Sequence, residues 1–117
     1  MVTTSALPLV PTPGHGHGHG YWCEATAITA VPGHAIPLST HQARSPRLAL
    51  RWLRARVQDV TEQLDPPYAA PAHHWLTDEP EHDRARTLLA HGGTYTLTLH
   101  DESARFILSA RPTGNTR

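Results

Sequence analysis

The sequence predicts a small α+β domain, a two-layer sandwich in which helices cover one face of a three-stranded antiparallel sheet. Two patterns indicate this class. Apolar residues recur at intervals of three and four within residues 48–64, which is typical of an amphipathic helix. Segments 21–31, 94–100 and 104–111 alternate or are rich in β-branched and aromatic residues, as strands are. The predicted order is strand, long helix, short helix, β-hairpin.

The 117-residue chain divides into a leader, one domain and a short tail. Residues 1–20 combine prolines, which cannot donate to a strand ladder, with glycines, which are costly to order. We therefore expect a flexible Pro/Gly/His-rich leader over residues 1–20. A single α+β domain is expected over residues 21–112, and a frayed tail over 113–117.

The first predicted strand has two unlike faces. Small residues, Cys23, Ala25 and Ala27, occupy one face and suit the close approach of a helix. The other face carries Trp22, Thr26 and Ile28, and the pattern leaves open which face is buried. Pro32-Gly33 ends the strand, and a loop is expected from there to Ser45.

The long helix is the clearest element in the sequence. Ser45 followed by Pro46 is a favourable helix start, a capping hydroxyl before a proline in the first turn. Asp65-Pro66-Pro67 is expected to stop the helix, because a residue before proline avoids the helical region. The apolar stripe of this helix consists of Leu50, Leu53, Val57, Val60 and Leu64.

A second, shorter helix is predicted after a Pro/Ala-rich connector, residues 66–72. Asp78 can cap it, and Glu81 lies three residues further on, the spacing of a capping box. Gly92-Gly93 is expected to end it. Its inner face is predicted to be Ala85, Leu88 and Leu89.

The last predicted element is a hairpin with its turn centred on Asp101-Glu102. This centre sets a register in which Leu99 faces Ala104, Leu97 faces Phe106 and Tyr95 faces Leu108, all on one face. Because a two-stranded hairpin is marginally stable alone, the first strand is expected to join it. The long helix would then cover the Tyr95, Leu97, Phe106 and Leu108 face.

Composition excludes several classes of protein. The only cysteine, Cys23, rules out an internal disulfide framework and fits a reducing compartment, so we expect a cytoplasmic protein. No apolar run approaches a membrane span, so no membrane association is expected. The formal net charge is zero, with ten basic residues, all arginine, against ten acidic ones. Binding to nucleic acid would therefore need a local patch.

No catalytic signature is present, so the protein is not expected to be an enzyme and no cofactor is expected. Cys23 lies within a strand among small residues, as packed core cysteines do. His74, Asp78 and His82 recur at intervals of four, a spacing that would align them on one helix face, but Pro80 and the capping position of Asp78 argue against a continuous helix there.

The histidines of the leader suggest a possible metal ligand set. His15, His17 and His19 alternate with glycines, whose flexibility could let the three imidazoles converge on Zn²⁺ or Ni²⁺. The alternative is a low-complexity segment that binds metal only as any histidine-rich peptide does. The cost of ordering so many glycines opposes tight binding.

An arginine row on the long helix suggests a second kind of ligand. Arg47, Arg51 and Arg54 share one face at spacings of four and three, an arrangement that can contact phosphates. They lie in the N-terminal half of the helix, where the helix dipole disfavours positive charge. The alternative is a solvated face whose arginines pair with nearby carboxylates.

The uncovered face of the predicted sheet favours a third hypothesis, binding through the sheet, which we expect to be the principal function. Five residues on that face are predicted to form an interface: Trp22, Thr26, Ile28, Thr96 and Ile107. Apolar patches of this kind usually mark interaction sites. The sequence therefore predicts a binding or interaction domain that self-associates as a homodimer, sheet on sheet or across a strand edge. An unidentified protein partner is the further possibility.

Overall fold

The computed structural model describes residues 20–30 and 34–113. The predicted leader, apart from Gly20, lies outside this range, and so do residues 114–117 of the predicted tail. The described residues form an α+β domain with three helices and a four-stranded antiparallel sheet. Its elements are β1 (Gly20–Thr29), β2 (Ala35–Ala43), α1 (Pro46–Thr61), α2 (Pro66–Leu76), α3 (Glu79–Ala90), β3 (Tyr95–His100) and β4 (Ala104–Thr113).

The strand order is β2-β1-β4-β3, so the first and last of the described strands are the two central ones. They pair along their whole length, from Gly20 opposite Thr113 to Thr29 opposite Ala104. The α+β class is confirmed. The prediction of three strands was wrong, because β2 forms a hairpin with β1 and adds an edge to the sheet.

The β2 strand was missed because its sequence carries no burial pattern. Of its nine residues only Ala43 is buried, so the alternation that identifies a half-buried strand is absent. Its pairing with β1 also shifts register between Ala25 and Thr26, and Pro37 interrupts its donors. These features are tolerated because β2 is an edge strand.

Helix α1 forms as its sequence predicts. The Leu48 backbone N–H donates to the Ser45 hydroxyl at 3.1 Å, and Pro46 occupies the first turn. Helical geometry ends at Thr61, earlier than Asp65, although Leu64 beyond it is still buried. The buried residues of the helix are four members of the predicted stripe together with Ala49 and Thr61: Ala49, Leu50, Leu53, Val57, Val60 and Thr61.

The predicted connector is instead a helix. Pro66 and Pro67 stand in the first turn of α2, where a proline lacks only a donor that would have no helical partner. The prolines predicted to stop α1 instead start α2, after α1 has already ended at Thr61. Its buried residues recur every third position, Ala69, Ala72 and Trp75, and small alanines let the helix approach its neighbours.

Helix α3 begins and ends at the predicted signals. The Asp78 carboxylate accepts from the Glu81 backbone N–H at 3.3 Å, and Gly92 takes a φ of 90° after the last turn. Its buried face differs from the prediction in one residue. Ala85 and Leu89 are buried as expected, while Leu88 is half-buried and the third buried position is His82.

The hairpin has the predicted faces and a different register. Leu97 lies opposite Leu108 and Leu99 opposite Phe106, two residues away from the predicted pairing. The Asp101 N–H donates to the Ala104 carbonyl at 2.9 Å, which centres the turn on Glu102-Ser103. A shift of two residues keeps every side chain on its face, so alternation alone cannot distinguish the two registers.

All three helices pack on one face of the sheet. Helix α1 crosses β1 and β4, while α2 and α3 pack on α1 and on the β3 side. The small residues of β1 face α1, with Cys23 fully buried and Ala25 and Ala27 nearly so. The opposite face of the sheet has no helix among the described residues.

Candidate interaction surfaces

The five predicted interface residues lie together on the open face of the sheet. Thr26 on β1 is directly opposite Ile107 on β4, and Ile28 lies in the next row. Trp22 is at the other end of β1, and Thr96 is on β3. Thr96 is exposed and the other four are half-buried, and the row of Glu24 separates Trp22 from Thr26.

Glu24 occupies the middle of this open face, and the sequence reasoning missed it. The indole Nε1 of Trp22 donates to Glu24 Oε2 at 2.7 Å. Arg111 Nη1 lies 3.7 Å from the same oxygen. Strand alternation could have indicated Glu24, because residues two apart on a strand share a face and Glu24 is two residues from Trp22. The carboxylate thus holds the Trp22 ring and offsets the charge of Arg111.

Hydroxyl-bearing residues occupy the rest of the central row. Thr40 of β2 lies opposite Glu24, and Ser109 of β4 lies opposite both Glu24 and Thr96. Arg105 is exposed on the same face, beside Ile28. The surface is therefore of mixed polarity, with Trp22 towards one end and Ile28 towards the other.

The two edge strands of the sheet are β2 and β3, and the exposed aliphatic side chains lie on β2. Ile36 and Leu38 are 40% and 48% exposed, which is unusual for large aliphatic side chains. Leu38 falls where the register between β1 and β2 shifts, and Pro37 lies beside it. A bulge and a proline are features that hinder the addition of another strand.

The three predicted binding arginines line a groove on the helical side of the domain. Arg47, Arg51 and Arg54 are exposed on α1. The structure adds Arg86 of α3, which the sequence reasoning missed because no local pattern connects it to α1. These four side chains and Leu50 surround a depression of about 390 Å³, the arginine groove.

A polar network that is buried at Trp75 and Tyr95 and reaches the surface at Arg84 joins α2, α3 and β3. Trp75 Nε1 donates to the Tyr95 hydroxyl at 2.8 Å, and that hydroxyl donates to Glu81 Oε2 at 2.7 Å. Arg84 holds both oxygens of the same carboxylate, at 2.9 and 2.8 Å. Hydrogen bonds from Arg84 and then Tyr95 lower the pKa of Glu81 to about 2. Burial, and next the bond to Glu81, raise the pKa of Tyr95 to about 12.

This network is structural in character. Its donors and acceptors satisfy one another, and the Arg84 guanidinium lies 5.7 Å from the centre of the Tyr95 ring. A carboxylate that stays ionised and a phenol that stays neutral over the physiological range are poor proton-transfer groups at neutral pH.

The histidine and cysteine candidates are separated by the fold. His82 is fully buried; its Nε2 donates to the Trp75 carbonyl at 2.7 Å. His74 is exposed at the end of α2, 3.6 Å from Asp78 Oδ2. Cys23 is fully buried, and burial raises its thiol pKa to about 11. Within residues 20–30 and 34–113, no three His, Cys, Asp or Glu side chains are grouped to hold a metal ion.

The predicted metal ligands His15, His17 and His19 lie outside the described residues. Among the helices that are described, none has the length and apolar character needed to cross a membrane. No protein-family model, curated protein or solved structure matches the chain. Functional inference therefore depends on the two surfaces themselves.

Proposed function

We propose that this chain is an interaction domain that binds a second copy of itself through the open face of its sheet. The observation that carries the proposal is the one-sided packing of the helices. It leaves the central strands β1 and β4 with half-buried Trp22, Ile28 and Ile107 directed away from the core. Side chains of this size on the open face of a sheet are favourable to bury.

A second copy of the chain is a suitable partner for the open face, because most of the charge on that face is neutralised by neighbouring side chains on the same face. Arg111 lies close to Glu24, so two identical faces approach with Arg105 as the main uncompensated charge. Threonine, serine and isoleucine on these strands also suit sheet-on-sheet packing, in which two inner faces interdigitate. A two-fold arrangement would use the same face on both subunits.

Packing face to face is favoured over pairing of β2 edges. Pro37 removes a backbone donor from β2, and the adjacent register shift distorts the edge. These two features limit a continuous ladder between copies. The open face carries no such obstacle in the described strands.

The experiment is sedimentation equilibrium across the micromolar range with matched variants. The wild-type chain is expected to have twice the 12.8 kDa mass of one copy. Ile107→Asp places a charge on the central strand β4, within the proposed interface, and is expected to give the single-chain mass. Leu38→Asp makes a similar change on the β2 edge and is expected to remain dimeric.

Two results would overturn the proposal. One is a single-chain mass for the wild type throughout the micromolar range. The other is the reverse behaviour of the variants, with Leu38→Asp dissociating the dimer and Ile107→Asp leaving it intact, which would assign the interface to the β2 edge.

A further inference from the structure

The arginine groove is built by two helices that are distant in sequence. Arg47, Arg51 and Arg54 form its α1 wall, and at 1.5 Å per residue they are spaced along the helix axis by about 6 and 4.5 Å. Arg86 comes from α3, and Leu50 lies between the walls. The fold thus concentrates four positive charges in one concave place, although the whole chain has a formal net charge of zero.

The three α1 arginines have no carboxylate partner in the described part of the chain. The ion pairs of α1 and α3 involve other arginines: Arg56 pairs with Asp59 at 3.0 Å, and Arg84 pairs with Glu81 at 2.8 Å. The alternative, in which nearby carboxylates form ion pairs with this row of arginines, is therefore not what the structure shows for the described residues. Of the groove residues only Arg86 has an acidic partner, Asp83.

The position of the row on α1 adds an electrostatic cost. The first turn of α1 contains no acidic residue, and Arg47 stands in that turn, at the end where the helix dipole is positive. Exposed positive charges here repel each other and the dipole. A bound anion would relieve both effects at once.

The chemistry of the groove suits phosphodiester groups. A guanidinium offers planar paired donors that match phosphate oxygens, and a row of them suits a chain of evenly spaced charges. No aromatic side chain is among the residues that line the groove, so stacking on bases is not supported. The remaining mode of binding is contact with the phosphate backbone, which does not depend on base sequence.

We propose that the arginine groove binds the phosphate backbone of nucleic acid independently of base sequence. This site lies on the helical side of the domain, opposite the face assigned to self-association. A face-to-face dimer would carry its two grooves on opposite outer surfaces. Either proposal can consequently fail while the other holds.

The test is fluorescence anisotropy with a labelled DNA duplex and a labelled single-stranded RNA, each titrated with the full chain at several salt concentrations. If all four arginines contact phosphates, the slope of log K against log salt on the duplex is about −3 to −4. Arg51→Gln with Arg54→Gln is expected to reduce that slope by about 2 and to weaken binding roughly 60-fold at 0.1 M salt.

A charge-matched control separates the groove from net charge. Arg56→Gln removes one charge from the same helix outside the groove lining and is expected to leave the slope unchanged, whereas Arg54→Gln alone removes the same charge within the groove and is expected to reduce the slope by about 1. Asp83→Asn frees Arg86 and is expected to tighten binding, by up to about eightfold at 0.1 M salt if one phosphate contact is gained. Circular dichroism checks that each variant folds.

Three outcomes would overturn the proposal. The first is no binding of either nucleic acid at low salt. The second is an equal loss of affinity in the groove and control variants. The third is binding of labelled polyglutamate as tight as that of duplex DNA, which would assign the groove to acidic protein segments instead.

Discussion

The contribution of the Tyr95 hydrogen bonds to the free energy of unfolding can be predicted for Tyr95→Phe, which removes only the hydroxyl oxygen. Tyr95 and Trp75 are 3% and 5% exposed, so Tyr95→Phe would leave the indole N–H of Trp75 buried without its acceptor. It would also take one donor from the ionised Glu81 carboxylate. Leaving a buried donor unpaired costs about 1–3 kcal/mol, and a hydrogen bond to a charged group contributes about 1.5–3 kcal/mol.

These costs are not additive, because Glu81 retains Arg84 and partial exposure to water. We therefore expect Tyr95→Phe to lower the free energy of unfolding by about 2–4 kcal/mol. For a domain of this size that corresponds to a fall in Tm of at least about 10 °C. Urea unfolding followed by circular dichroism measures the first quantity, and a thermal scan the second.

The matched control is Tyr21→Phe. Tyr21 is half-buried against the same core, and its hydroxyl has no hydrogen bond among the described residues. The same atom is removed, so the expected change is within about 0.5 kcal/mol. Equal losses in the two variants would refute the reasoning, since the network would then contribute nothing beyond packing.

Two further predictions concern titration. Because the folded pKa of Glu81 is lowered to about 2 from its usual 4.5, its ionised form stabilises the fold above about pH 4.5, and that contribution is lost as the pH falls towards 2. With allowance for solvent screening, Glu81→Gln should cost about 1–2 kcal/mol at pH 7 and progressively less below pH 4.5, and a pH-independent difference in urea unfolding would contradict this. Cys23, buried with a thiol pKa of about 11, should resist an aromatic disulfide reagent at pH 8 until the protein is denatured; full labelling of the folded chain within minutes would contradict its burial.

The candidate surfaces were predictable to different degrees. The β1 part of the open-face set could be found from strand alternation, because Trp22, Thr26 and Ile28 share a face once the segment is a strand. The arginine row of α1 followed from helical periodicity in the same way. Arg86 could not be found, since it meets that row only when α3 packs beside α1. Glu24 was within reach of the same alternation and was overlooked.

The sequence by itself determined the elements whose signals are local. The start of α1 at Ser45 and its apolar stripe depend on residues three or four positions apart, and so do the cap of α3 at Asp78 and its glycine end. The faces of the hairpin and of β1 depend on alternation within one segment. Local hydrogen bonds and side-chain spacing carry this information, so it can be read without neighbours.

Tertiary structure alone decided the remaining features. β2 is a strand because β1 offers it a ladder, and its own exposed side chains do not require one. Residues 66–76 are helical because Ala69, Ala72 and Trp75 gain burial against the core, and the prolines permit it from the first turn. The hairpin register was set by the turn at Glu102-Ser103 and by pairing with β1, because a shift of two residues leaves the local pattern unchanged.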